Sequence, residues 1–205
     1  VYVPNKFQVN DEAAWSVVGD AGAGMLVTLG KHGLQSVFTP VIASDDYSTI
    51  TAHVARANPW WKEATSGAEV LALFVGASSY ISPSLYPSRH ESPEVVPTWN
   101  YVAVEVRGAL QIRDDDEWAL AQAKQLTTQF ESNRETPWLI SESDENYVKK
   151  LSRGIVGIEI TVQEITGKFK LSQGRSIEDR TNVALELGEG GARDQVTARY
   201  MRDLP

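Results

Sequence analysis

The sequence contains no cysteine, which removes disulfides, thiolate nucleophiles and thiolate metal sites together. Histidine is almost as scarce. His32, His53 and His90 are the only three, and none stands at metal-ligand spacing with a second histidine, so no metal site is expected. No apolar run approaches the roughly 20 residues of a membrane helix. Residues 1–20 lack a basic start followed by an apolar run, so no secretory signal is expected there. Basic residues are outnumbered, 19 Lys and Arg against 27 Asp and Glu, for a formal net charge of −8. A broad phosphate-binding surface needs the opposite balance. With no helix-turn-helix signature either, direct DNA binding is doubtful. The phosphate-cradling patterns GxGxxG and GxxxxGK[ST] are absent, as is the nucleophile pattern GxSxG. A reducing, cytoplasmic setting fits the missing cysteines.

What remains is an ordinary globular composition, with 42% hydrophobic residues and six Trp in 205 residues. The central stretch is VVPTWNYVAVEVRGAL, Val95 to Leu110. From Asn100 onward it alternates: Val102, Val104, Val106, Leu110 and Ile112 share one face of a strand. Pro97 cannot donate a ladder hydrogen bond and belongs at the strand's entrance, which puts Thr98, Trp99 and Asn100 at its mouth. Upstream, Asn10 reads as the cap of a helix over about Asp11–Gly19. Met25–Leu29, Ser36–Ala43 and Ser48–Val54 read as an antiparallel meander.

Asn58-Pro59 signals a short helix to about Thr65. Val70–Val75 is nearly all apolar and is expected to be buried on both faces, with Gly76–Ser79 as a turn. Asp114–Asp116 open a long helix whose buried stripe is Ala119, Ala123, Leu126 and Phe130. Ser141–Leu151 reads as a second helix, Gly154–Thr166 as a long strand, and Ile177–Leu187 and Ala192–Met201 as terminal helices. The expected class is mainly β with helices (α+β), a closed or nearly closed barrel decorated by helices. It forms a single domain over 1–205, with a barrel core at about 23–113 and 154–172 and helical segments at 114–151 and 176–203.

Three clusters carry chemistry. His53, Arg56 and Asn58 stand where a strand meets a helix start, where Arg56 could fork onto a phosphate or carboxylate; a capped helix with a surface Arg is the alternative. Tyr80, Ser82, Ser84 and Tyr86 bring rings and hydroxyls into an irregular loop, suited to an aromatic ligand or to local backbone bonds. Lys168, Lys170 and Ser172, followed by Gln173, share a face if the segment stays extended, which suits an anion or a solvated edge strand.

Four blocks then resemble the PaiB-type family of FMN-binding proteins, often labelled negative transcriptional regulators. They are HVARANP (53–59), YISPSLYPSR (80–89), VVPTWNYVAVEVRG (95–108) and IVGIEI with GKFKLSQGR (155–175); YVPNKF (2–7) matches the family's start. The resemblance implies the FMN-binding split β-barrel, with flanking and C-terminal helices, as a homodimer with FMN at the subunit interface. It implies Arg56, Asn58, Lys168 and Lys170 at the phosphate and ribityl end, and Tyr80, Ser82, Trp99 and Asn100 near the ring or the dimer interface. His53, Ser172 and Gln173 complete the implied cofactor set. The function implied is a PaiB-type regulator or a flavin-dependent oxidoreductase of unknown substrate. The alternatives are a non-enzymatic regulator acting through a protein partner, or a split barrel holding haem or deazaflavin.

Overall fold

A computed structural model describes residues 1–91 and 94–204. Within it the chain forms six strands: β1 (Ala23–Gly30), β2 (Gly33–Ala43), β3 (Thr49–Ala55), β4 (Glu69–Ile81), β5 (Thr98–Arg113) and β6 (Ile155–Lys170). The helices are α1 (Asp11–Ala21), α2 (Trp60–Glu63), α3 (Asp116–Glu131), α4 (Glu145–Ser152), α5 (Ile177–Gly188) and α6 (Ala192–Arg202). This is the α+β class expected, and the strand order β1-β2-β3-β6-β5-β4 closes into a barrel.

The chain divides into two compact units. The first described is the barrel unit, Ala21–Leu73 and Val106–Ile165. Its β1–β2 hairpin pairs Met25 with Phe38 and Leu29 with Leu34, and Gly33 takes a positive φ of 107° to close the turn. β1 pairs with β4 through Leu26 and Ala72, and β3 with β6 through Ile50 and Ile160. Alternation sends Leu26, Ile50, Val106, Leu110, Ile158 and Ile160 inward, and all six are fully buried. Removing these side chains from water is the main stabilising term. The opposite face of the hairpin leaves Leu29, Leu34 and Phe38 well exposed.

The second unit comprises Val1–Asp20, Phe74–Glu105 and Thr166–Pro205. It holds the far ends of β4, β5 and β6 with α1, α5 and α6. Asn10 caps α1, its Oδ1 accepting from the Ala13 N–H at 2.9 Å, and Ser176 caps α5 through the Asp179 N–H at 3.1 Å. These caps satisfy amides that the first helical turn leaves unpaired. Val17, Phe74, Ile81, Val102 and Leu171 build its core.

Several local expectations need correction. β4 runs through Ile81 instead of turning at Gly76. A Cβ on Gly76 would lie 3.0–3.1 Å from Tyr200, Val102 and Val17, so the glycine serves close packing and not a turn. Val70, Ala72 and Phe74 are buried while their neighbours are not, so this strand is covered on one face rather than both. On α3 the buried positions are Ala119 and Gln122, and Phe130 is exposed. The expected second helix is a 3-10 turn over Ile140–Glu142 followed by α4, because Asp144 starts a new cap with the Tyr147 N–H at 2.8 Å. β6 extends to Lys170, past the expected end at Thr166.

Candidate functional site

The second unit contains a cavity of about 270 Å³ at the entrance of β5. Thr98 and Asn100 reach it from one face of β5, Lys170 from the end of β6, and Ser172 and Gln173 from the turn that follows. Lys6, Tyr86 and Arg175 complete the polar lining, and no carboxylate takes part. Three cations thus gather without an acid in a chain whose net charge is −8.

The Lys170 ammonium donates to Thr98 Oγ1 at 2.6 Å and to the Trp99 carbonyl at 2.5 Å. Burial pushes its pKa below the ordinary lysine value, and the positive charges of Lys168 and Lys6 push it the same way. Asn100 is fully buried, with Nδ2 donating to Ser172 Oγ at 3.0 Å. Ser172 is a non-glycine residue at φ 67°, a left-handed conformation with a backbone cost that recurs at ligand clamps. Gln173 ties the turn together, accepting from the Leu171 N–H at 2.8 Å and donating to the Phe169 carbonyl.

Tyr86 is also fully buried, and its hydroxyl has no hydrogen-bond partner among the described residues. The Arg175 guanidinium lies 4.5 Å from the centre of its ring, a cation–π arrangement. A buried hydroxyl without a partner is costly, and the residue that carries it lines a cation-rich cavity. The arrangement suits a ligand that brings both negative charge and hydrogen-bonding oxygens.

Asn100, Lys170, Ser172 and Gln173 therefore meet in one pocket, joined by Lys6, Tyr86 and Arg175. Lys168 is absent from the lining: it donates to the Tyr2 carbonyl at 2.9 Å and stands 5.5 Å from the Tyr101 ring centre. Ser172 leaves the shared strand face because β6 ends at Lys170 and the backbone turns left-handed. Trp99 points the other way from Asn100 and packs edge-to-face on Tyr80, with ring centres 6.1 Å apart and both side chains about half exposed. Ser82 caps the 3-10 turn that follows β4, its Oγ accepting from the Ser84 N–H at 3.2 Å.

His53, Arg56 and Asn58 belong to the barrel unit. His53 Nδ1 is 2.6 Å from Oε1 of the buried Gln122. Arg56 donates to Asp114 at 2.6 Å and Asp116 at 3.4 Å, and to the carbonyls of Arg153 at 2.7 Å and Ile155 at 3.2 Å. Asn58 Oδ1 accepts from the Trp60 N–H at 3.0 Å at the start of α2. Each of the three has a protein partner.

Comparison with known proteins places these features in context. Residues 1–164 match the family model described as "Putative FMN-binding domain". The chain is 34% identical over 190 residues to the "Protease synthase and sporulation protein PAI 2" of Bacillus subtilis, covering 91% of this chain and 89% of that protein. Among solved structures, an FAD and heme binding protein from Mycobacterium smegmatis superimposes with a TM-score of 0.60 at 10% identity, over 85% of this chain and 78% of that one. A flavocytochrome from Azotobacter vinelandii gives a TM-score of 0.57 at 9% identity, over 84% of this chain and 73% of that one. These two likenesses are likenesses of fold.

Proposed function

The chain belongs to the family of FMN-binding domains, and on that premise we propose that the pocket around Lys170 holds the phosphate and ribityl end of FMN. The observation that carries the reading is the cluster of Lys6, Lys170 and Arg175 with no carboxylate beside it. A phosphate dianion would offset the mutual repulsion of these cations. The Tyr86 hydroxyl, Thr98, Ser172 and the Asn100 amide supply the hydroxyl and amide groups that ribityl oxygens require. The cavity, at about 270 Å³, falls below the ~300–1,000 Å³ of sites that enclose a drug-sized ligand. The isoalloxazine ring would then extend beyond it.

When bound, FMN supplies reversible electron transfer; the protein binds, orients and shields it. A second copy of the chain covering the ring is part of the proposal. The exposed Leu29, Leu34 and Phe38 on the hairpin support such association, since contiguous apolar patches are rare on monomers. Cytoplasmic residence belongs to the same reading; among the described residues no helix is long and apolar enough to cross a membrane.

A regulatory role through a protein partner is the second reading. It is favoured by the likeness to a protein named for protease synthesis and sporulation. The acidic balance supports a protein partner over direct DNA contact. The test is the visible spectrum of purified protein after FMN addition and desalting, with multi-angle light scattering for the mass. A retained oxidised-flavin spectrum in a dimer is expected. A colourless monomer would contradict the reading.

A further inference from the structure

A second cavity in the same unit, about 460 Å³, lies in the groove between α5 and α6. Its walls are apolar, formed by Ile177, Leu185, Met201 and Leu204. Ile177 is 81% exposed and Leu185 57% exposed. The two are eight residues apart on one helix, so they mark about 12 Å of groove length. Large apolar side chains in that arrangement are not covered by anything in this unit.

The rim carries charge of one sign. Arg180 and Arg202 line the groove and no acidic residue does. Arg202 donates to the Ala184 carbonyl at 3.1 Å. The Arg180 guanidinium has no hydrogen-bond or ion-pair partner among the described residues. The acids of these helices, Glu178, Asp179, Glu186 and Asp194, and Asp203 just after α6, are all outside the lining.

We propose that the α5–α6 groove docks a short amphipathic helical segment of a partner protein, apolar on one face and carrying Asp or Glu at its margins. An amphipathic helix lays anchors at i, i+3 or i+4, and i+7 into such a groove, and two turns between Ile177 and Leu185 match that spacing. The guanidinium groups then choose acidic over basic segments, since rim charges act mainly on selection and encounter. This proposal stands independently of the flavin site.

The experiment uses a random 12-residue peptide library displayed on phage and selected against the full chain. Enriched peptides are synthesised with fluorescein and titrated by anisotropy against wild type, Ile177→Asp and Arg180→Glu. Ile177 is exposed and Arg180 half-buried, and melting curves confirm that the variants fold. The expected result is enrichment of helical, acidic-apolar sequences whose affinity falls at least tenfold with either variant. Arg180→Glu should also reverse the preference, favouring peptides whose acids are replaced by Lys. No enrichment, enrichment without acids, or affinities unchanged by Ile177→Asp would overturn the proposal. Sedimentation separates the remaining case: a mass that halves in Ile177→Asp means a second copy fills the groove, which also overturns it.

Discussion

Asn100 joins Ser172 to Met201: its Nδ2 lies 3.0 Å from Ser172 Oγ and 3.3 Å from Met201 Sδ. One buried amide thus fixes the strained turn of the pocket and touches α6 at the same time. Ser172 Oγ also stands 3.1 Å from Asn100 Oδ1, so the hydroxyl and the amide form a closed pair.

Asn100→Ala should cost about 1–3 kcal/mol, because it leaves the Ser172 hydroxyl without its partner and opens a void. At roughly 2–4 °C per kcal/mol for a chain of this size, differential scanning calorimetry should find a clear drop in Tm. An unchanged Tm would show that the amide does not hold the turn.

Tyr86→Phe separates stability from binding. The unpartnered hydroxyl contributes nothing favourable to the free protein, so its loss should leave the melting temperature equal or higher. FMN affinity should fall about tenfold, as for one hydrogen bond of ~1.4 kcal/mol. Isothermal titration reads both the affinity and the enthalpy; equal affinity would place the hydroxyl away from the ligand.

The lowered pKa of Lys170 gives FMN binding a pH dependence. An anion favours the protonated amine, so affinity holds below the Lys170 pKa and weakens as pH rises through it. The free protein responds in the opposite sense. A lysine with a depressed folded pKa disfavours the folded state while protonated, and that cost is relieved as pH rises toward the ordinary value. Kd measured from pH 7 to pH 10 should therefore rise in wild type and stay flatter in Lys170→Met.

Arg56→Ala tests the other cluster. Its ion pairs to Asp114 and Asp116 are about half exposed, and such pairs are worth about 0–1 kcal/mol each. Stability should fall by roughly 1–2 kcal/mol once the lost bonds to carbonyls are included, with flavin retention intact. Loss of flavin at normal stability would move the phosphate to the end of β3.

Much of this architecture is legible in the sequence. The inward stripe of β5 follows from strict alternation, and the cap Asn10 follows from local chemistry. What was not legible depends on distant partners. Gly76 reads as a turn, yet it is small because Tyr200, Val102 and Val17 crowd it. Gln122 looks like a surface residue, yet it is buried where it meets His53. Gly157 is a glycine because the Trp118 ring lies over it. In the pocket, Asn100, Lys170, Ser172 and Gln173 sit in family blocks. Lys6 of YVPNKF and Tyr86 of YISPSLYPSR sit in such blocks too, yet nothing local announces that they meet Lys170 at the entrance of β5.

A phosphate held by the cations around Lys170 distinguishes FMN from the same flavin without its phosphate. The most direct measurement compares FMN with riboflavin, titrated into wild type and Lys170→Met and followed by flavin fluorescence. Wild type should bind FMN at least tenfold more tightly than riboflavin, and Lys170→Met should remove most of that difference. Equal affinity for the two flavins in wild type, or a preference untouched in Lys170→Met, would contradict it.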